Sequence, residues 1–152
     1  MAEDDDDLER QVLRLLDEGD ELLGEGRSDE AIATYESAWQ LLPEPRTEQP
    51  GALHVLAAIG DVRFHRSEFT AGRGVFMTAM RCAHGEPLGN PFLRLRLGQC
   101  LYESGEMQEA ANWLAGAFLT EGTKLFAEDD PKYLAFVKSQ LEPPPGGWPE
   151  GW

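Results

Sequence analysis

GDELLGEGRSDEAIATYESAWQLLP, Gly19 to Pro43, is where the fold of this chain can be read. Apolar residues recur at helical spacing on both sides of a break: Leu22 and Leu23 before it, then Ala31, Ile32, Tyr35, Ala38 and Trp39. Gly24, Glu25 and Gly26 make the break. Ser28, Asp29 and Glu30 restart the pattern, because a hydroxyl followed by carboxylates suits the exposed amides of a helix start. Pro43 then stops it. The stretch predicts two helices joined by a tight turn. The first runs from about Leu8 to Leu23, with Leu8, Val12, Leu15, Leu16, Leu22 and Leu23 in one stripe. Asp4 to Asp7 fall just ahead of it, where negative charge meets the positive end of the helix dipole.

The same spacing returns twice more. Gly19 to Ala31, Gly60 to Gly72 and Gly98 to Ala110 are each twelve positions apart; Tyr35, Phe76 and Leu114 follow four later, and Ala38, Ala79 and Ala117 three after those. The step from Gly19 to Gly60 is 41 residues and from Gly60 to Gly98 is 38, the difference falling in Pro-rich loops. The second pair reads as Leu53 to Phe64 and about Phe69 to Cys82, the third as Phe92 to Glu103 and Met107 to Leu119. A glycine inside a helix costs about 1 kcal/mol relative to alanine. Close approach of the partner helix offsets that cost, with Ala31, Gly72 and Ala110 as the facing small positions.

Asp130-Pro131 is an N-cap followed by proline at the first helical position, opening a further helix to Leu141 that would cover the open end of a stack. A short helix is expected within Glu121 to Glu128. The tail EPPPGGWPEGW is an extended arm whose Trp148 and Trp152 either dock on the protein itself or clamp a partner. The expectation is one all-α domain over 1–152: repeats at 8–43, 53–83 and 91–120, a capping helix at 130–141 and a tail at 142–152.

Composition narrows the function. Lys and Arg total 13 against 28 Asp and Glu, a formal charge of -15, so phosphate backbones are repelled and a basic protein surface is attracted. MAEDDDDLERQ, residues 1–11, is acidic where a signal peptide would be basic and then apolar, and the chain has no apolar run of membrane-spanning length; both point to the cytoplasm. Cys82 and Cys100 have no CxxC spacing and read as reduced core residues. His54, His65 and His84 form no pair at ligand spacing, which leaves no metal site. No nucleophile elbow and no phosphate-binding glycine spacing is present. Catalysis, a cofactor and a small-molecule substrate are therefore not expected.

These repeats resemble the tetratricopeptide repeat family. Gly19, Leu22, Gly26, Ala31, Tyr35, Ala38 and Pro43 stand where the family's pattern wants them, as do Leu97, Gly98, Leu101, Gly105, Ala110, Leu114 and Ala117 in the third unit, though Gly122 replaces its final proline. The second unit fits at Leu56, Ile59, Gly60, Phe76 and Ala79 and departs at Arg63, Ser67, Gly72 and His84. The resemblance implies a right-handed α-solenoid of three helix pairs plus a capping helix. Residues 89–105 and 119–141 also look like a group of small bacterial tetratricopeptide proteins that act as immunity proteins against polymorphic toxins. That resemblance implies a cytoplasmic protein that occludes the active site or target-binding surface of a basic toxin domain as a 1:1 heterodimer. The alternatives are an adaptor or secretion chaperone gripping an extended peptide, and a scaffold that oligomerises through its open end.

In such an array the first helix of each pair lines the concave side. Equivalent positions give Asp20 and Leu23, then Asp61, Phe64 and His65, then Gln99, Tyr102 and Glu103, with Arg63 added because it departs from the pattern mid-groove. Aromatics supply contact area and carboxylates pair with Lys or Arg. A packing role for Phe64 and Tyr102, and a merely solvated Asp61, stay open at this point.

Overall fold

A computed structural model describes residues 2–152, with side chains from Asp6 onward. Among the described residues the fold is all-helical, with seven α-helices: α1 (Ala2–Gly24), α2 (Ser28–Leu41), α3 (Ala52–His65), α4 (Phe69–Ala79), α5 (Pro91–Glu103), α6 (Met107–Glu121) and α7 (Pro131–Gln140). The chain divides into two compact units, Met1–Pro87 and Leu88–Trp152. The first holds α1 to α4; the second holds α5 to α7 and the tail.

Each of the turns α1–α2, α3–α4 and α5–α6 is closed by the same pair of hydrogen bonds. Arg27 N–H donates to Leu22 O and Gly26 N–H to Leu23 O; Glu68 N–H to Arg63 O and Ser67 N–H to Phe64 O; Glu106 N–H to Leu101 O and Gly105 N–H to Tyr102 O, all at 2.9–3.1 Å. This is a Schellman closure, and it needs a left-handed residue. Gly26 and Gly105 supply it at φ 78° and 82°, whereas Ser67 is held there at φ 59°. The three left-handed residues lie 41 and 38 positions apart, the register of the mid-helix glycines.

A side chain in the left-handed region costs about 1–2 kcal/mol, and glycine gives back part of that through unfolded-chain entropy. Ser67→Gly is therefore expected to stabilise the protein by about 0.5 kcal/mol, and Gly105→Ala to destabilise it by about 1 kcal/mol. Urea midpoints of the two variants check the opposite signs.

The glycine seats are filled by large side chains. A Cβ on Gly60 would lie 2.6 Å from Phe76 Cζ, and one on Gly98 2.6 Å from Leu114 Cγ; one on Gly19 would overlap the Tyr35 ring. The second helix of each hairpin thus presses its aromatic or leucine against bare backbone of the first. The expected facing residues Ala31, Gly72 and Ala110 are buried, and the atoms a Cβ at each glycine would meet belong to the large residue four positions on.

The first unit's core gathers Val12, Leu16, Ile32, Tyr35, Val55, Leu56 and Ile59. Its start differs from expectation, because α1 begins at Ala2 and takes Asp4 to Asp7 into its first turns. Capping by the Asp4 and Asp5 side chains lies outside the described residues. Ser28 is the first residue of α2 instead of its cap, and Arg27 occupies the cap without a side-chain bond.

In the second unit, Asn90 Oδ1 accepts from Leu93 N–H at 3.2 Å and Asp130 Oδ1 from Lys132 N–H at 3.0 Å, so α5 and α7 start on true side-chain caps with proline in the first turn. The short helix expected near Leu125 is the 3-10 turn Gly122–Phe126. The tail does not extend as an arm. Trp148 and Trp152 both meet the buried Phe118 of α6 edge-to-face with ring centres 5.3 Å away, and Lys138 Nζ donates to the Trp152 main-chain oxygen at 2.7 Å.

Candidate functional site

The residues expected to line a binding face meet different fates in the two units. In the second, α5 is buried almost all round, from Leu95 through Leu101 without interruption. Polar groups on such a helix must find partners inside. Gln99 is 0% exposed; its Nε2 donates to Asp129 Oδ2 at 3.0 Å and its Oε1 accepts from Arg96 Nη1 at 2.9 Å. Tyr102 packs edge-to-face on Tyr133 and Phe136 of α7 at 5.4 and 5.0 Å. Glu103 accepts from the Tyr133 hydroxyl at 2.8 Å and pairs with Lys132 Nζ at 2.5 Å. Burial and then the Glu103 bond raise the Tyr133 pKa, and the Glu103 bond raises that of Lys132. Gln99 is thus enclosed by Arg96 and Asp129 and offers no open contact surface, while Tyr102 and Glu103 stay half-buried and are engaged by α7.

In the first unit the set stays largely accessible. Asp20 is exposed and accepts from the Tyr35 hydroxyl at 2.5 Å; burial first, and then this bond, lift the Tyr35 pKa. Leu23 is 39% exposed. One helix away in sequence, Asp61 and His65 pair on successive turns of α3 at 3.4 Å, and Phe64 stacks edge-to-face on His65 and Phe69. Arg63 differs from these in being half-buried and engaged within the fold. Its guanidinium spans α2 and the cap of α4, donating to both Glu68 carboxylate oxygens at 3.2 Å and to Glu36 at 3.5 Å.

Arg66, which the sequence reading passed over, adds Asp29 at 2.5 Å and Glu68 at 2.8 Å to the same seam. Its partners Ser28 and Asp29 lie 38 and 37 positions away, so no local spacing marks them. Asp129 and Arg96 were also missed. The available signal was an arginine inside FLRLRLGQC, a run too apolar to leave a charge facing water.

Charge is unequal between the units. Residues 1–87 hold 19 Asp and Glu against 8 Arg and no Lys, a formal -11; residues 88–152 hold 9 against 5, a formal -4, which together make the chain's -15. The open residues and most of the negative charge therefore belong to the same unit.

Among the described residues no three His, Cys, Asp or Glu are placed to hold a metal, and no helix is long and apolar enough to cross a membrane. Cys82 and Cys100 are free and buried, and burial pushes the Cys100 thiol up to about 12 and the Cys82 thiol in the same direction. A raised thiol pKa keeps the unreactive protonated form at ordinary pH. Iodoacetamide at pH 8 is expected to label Cys100 only after denaturant is added, with Cys82 reacting first. The sign for stability follows: the Cys100 contribution is complete below about 9 and is lost as pH rises towards 12.

Comparison with models of known protein families finds no match, and neither does comparison with curated protein sequences.

Proposed function

We propose that this chain is a non-catalytic protein-binding module of the tetratricopeptide type, its hairpins stacked as a right-handed solenoid, that acts in the cytoplasm as an immunity protein. Its partner is a basic toxin domain, held 1:1 and blocked at its active site or target-binding surface. The observation that carries this reading is the first unit's formal charge of -11 beside accessible Asp20, Leu23, Asp61 and His65. Clustered carboxylates of one sign steer a basic partner and fix its orientation, while the nearby apolar groups supply contact area. The three repeated turns and glycine seats support a scaffold built to display such a face.

Co-expression tests the reading. The products of the adjacent reading frames are produced with and without this chain in a sensitive host. One product is expected to be toxic alone and harmless in the chain's presence. Undiminished toxicity at saturating levels of the chain sinks the proposal.

A further inference from the structure

The first unit carries an apolar cleft that the proposed charge recognition does not use. Its walls are Leu8, Val12, Leu13 and Leu16 of α1, Leu42 beyond the end of α2, and His54 of α3, and its volume is about 230 Å³. Small-molecule sites usually enclose about 300–1,000 Å³, so this one is sized for a side chain or two of a larger ligand. Leu13, one of its lining residues, is 46% exposed.

The charged groups near the cleft indicate what enters it. Glu9 lines it, and Asp6 lies one helical turn before Glu9 on α1, exposed; Arg10 and Arg14 lie on the same helix, also exposed. Across the whole unit, carboxylates outnumber cations 19 to 8. An acidic helix with an apolar cleft along two of its turns matches a helix that is apolar on one face and basic on its flanks.

We propose that this cleft is the anchor site for a basic amphipathic helix of the partner protein, one apolar side chain entering between α1 and α3 while flanking Lys or Arg meet the carboxylates. This rests on the reading of a basic partner and adds the place where it is gripped. Leu13 closes over the inserted side chain, and Glu9 pairs with a flanking cation. The open groove of the second unit, between Met107 and Ala115 of α6 and Phe136 of α7, is lined without a carboxylate and has no such match.

The test uses the full chain and three labelled 14-residue peptides followed by fluorescence anisotropy. One is an amphipathic Lys/Leu helix, one replaces every Leu by Ser at the same charge, and one replaces every Lys by Glu. The Lys/Leu peptide is expected to bind 1:1 and at least tenfold more tightly than either other peptide. Leu13→Ser is expected to weaken it at least tenfold and Glu9→Lys several-fold, while Leu119→Ser, at a leucine 58% exposed in the second unit, leaves it unchanged. Equal binding of the Lys/Ser or the Glu/Leu peptide overturns the proposal, as does unchanged binding by Leu13→Ser. A toxin domain that is neutralised equally by the Leu13→Ser chain removes the anchor site and leaves the immunity reading standing; the absence of any neutralised partner removes the latter.

Discussion

Asp129→Ala is expected to cost about 3 kcal/mol of stability, more than any surface substitution in the chain. Asp129 receives Arg96 Nη1 on both carboxylate oxygens, at 3.1 and 3.2 Å, and Gln99 Nε2 at 3.0 Å. The side chains of Arg96 and Asp129 are only 9% and 12% exposed. Truncation withdraws the neutralising carboxylate from a guanidinium already out of water, and desolvation, which the pair had offset, is then uncompensated. The neighbouring Asp130→Ala removes an N-cap alone and should cost about 1 kcal/mol. Urea melts of the two variants, with m unchanged, separate a buried-charge effect from a helix-start effect.

Gly98→Val is expected to be of similar size, about 3 kcal/mol, at the upper end of overpacking penalties. The added Cβ meets Leu114 Cγ at 2.6 Å and, behind it, the Leu114 backbone nitrogen at 3.1 Å, so no side-chain rotation relieves the clash and α5 and α6 must part. At Gly60 the obstacle is the tip of the Phe76 ring, which leucine lacks. Gly60→Ala is therefore expected to be partly rescued by Phe76→Leu, with a coupling of about 1 kcal/mol in the double-mutant cycle. Strict additivity would mean that the glycine seats are not what positions the hairpins.

Short-range signals in the sequence proved readable where one physical rule decides the outcome. Gly24 to Gly26 marked a turn, since a left-handed closure favours glycine, and Asp130-Pro131 marked a helix start that the structure places at the same residues. The mid-helix glycines were legible as close approaches. What approaches them was not, because helical periodicity says which residues share a face and is silent on how two helices interleave. Hence Tyr35, Phe76 and Leu114, and not the small residues, fill the seats.

The candidate face was harder to read. Equivalent positions of a repeat have equivalent surroundings only if the same neighbours surround them. Gln99, Tyr102 and Glu103 sit under α7 and Asp129, while Asp20 and Leu23 do not have that cover. Arg63 read as a departure from the repeat pattern, and Glu36 of α2 and Glu68 at the cap of α4 engage it within the fold. Long-range ion pairs leave no local trace in a sequence rich in both signs of charge.

The central claim is that the acidic first unit holds a basic protein partner. Titration calorimetry of the full chain against the purified toxin domain of an adjacent reading frame, at low and at physiological salt, tests it most directly. The account predicts 1:1 stoichiometry, affinity that weakens with salt, and a loss of at least tenfold on Asp61→Lys with no loss on Glu109→Lys in the second unit. Salt-independent binding that ignores Asp61→Lys, or no binding at either salt, would contradict it.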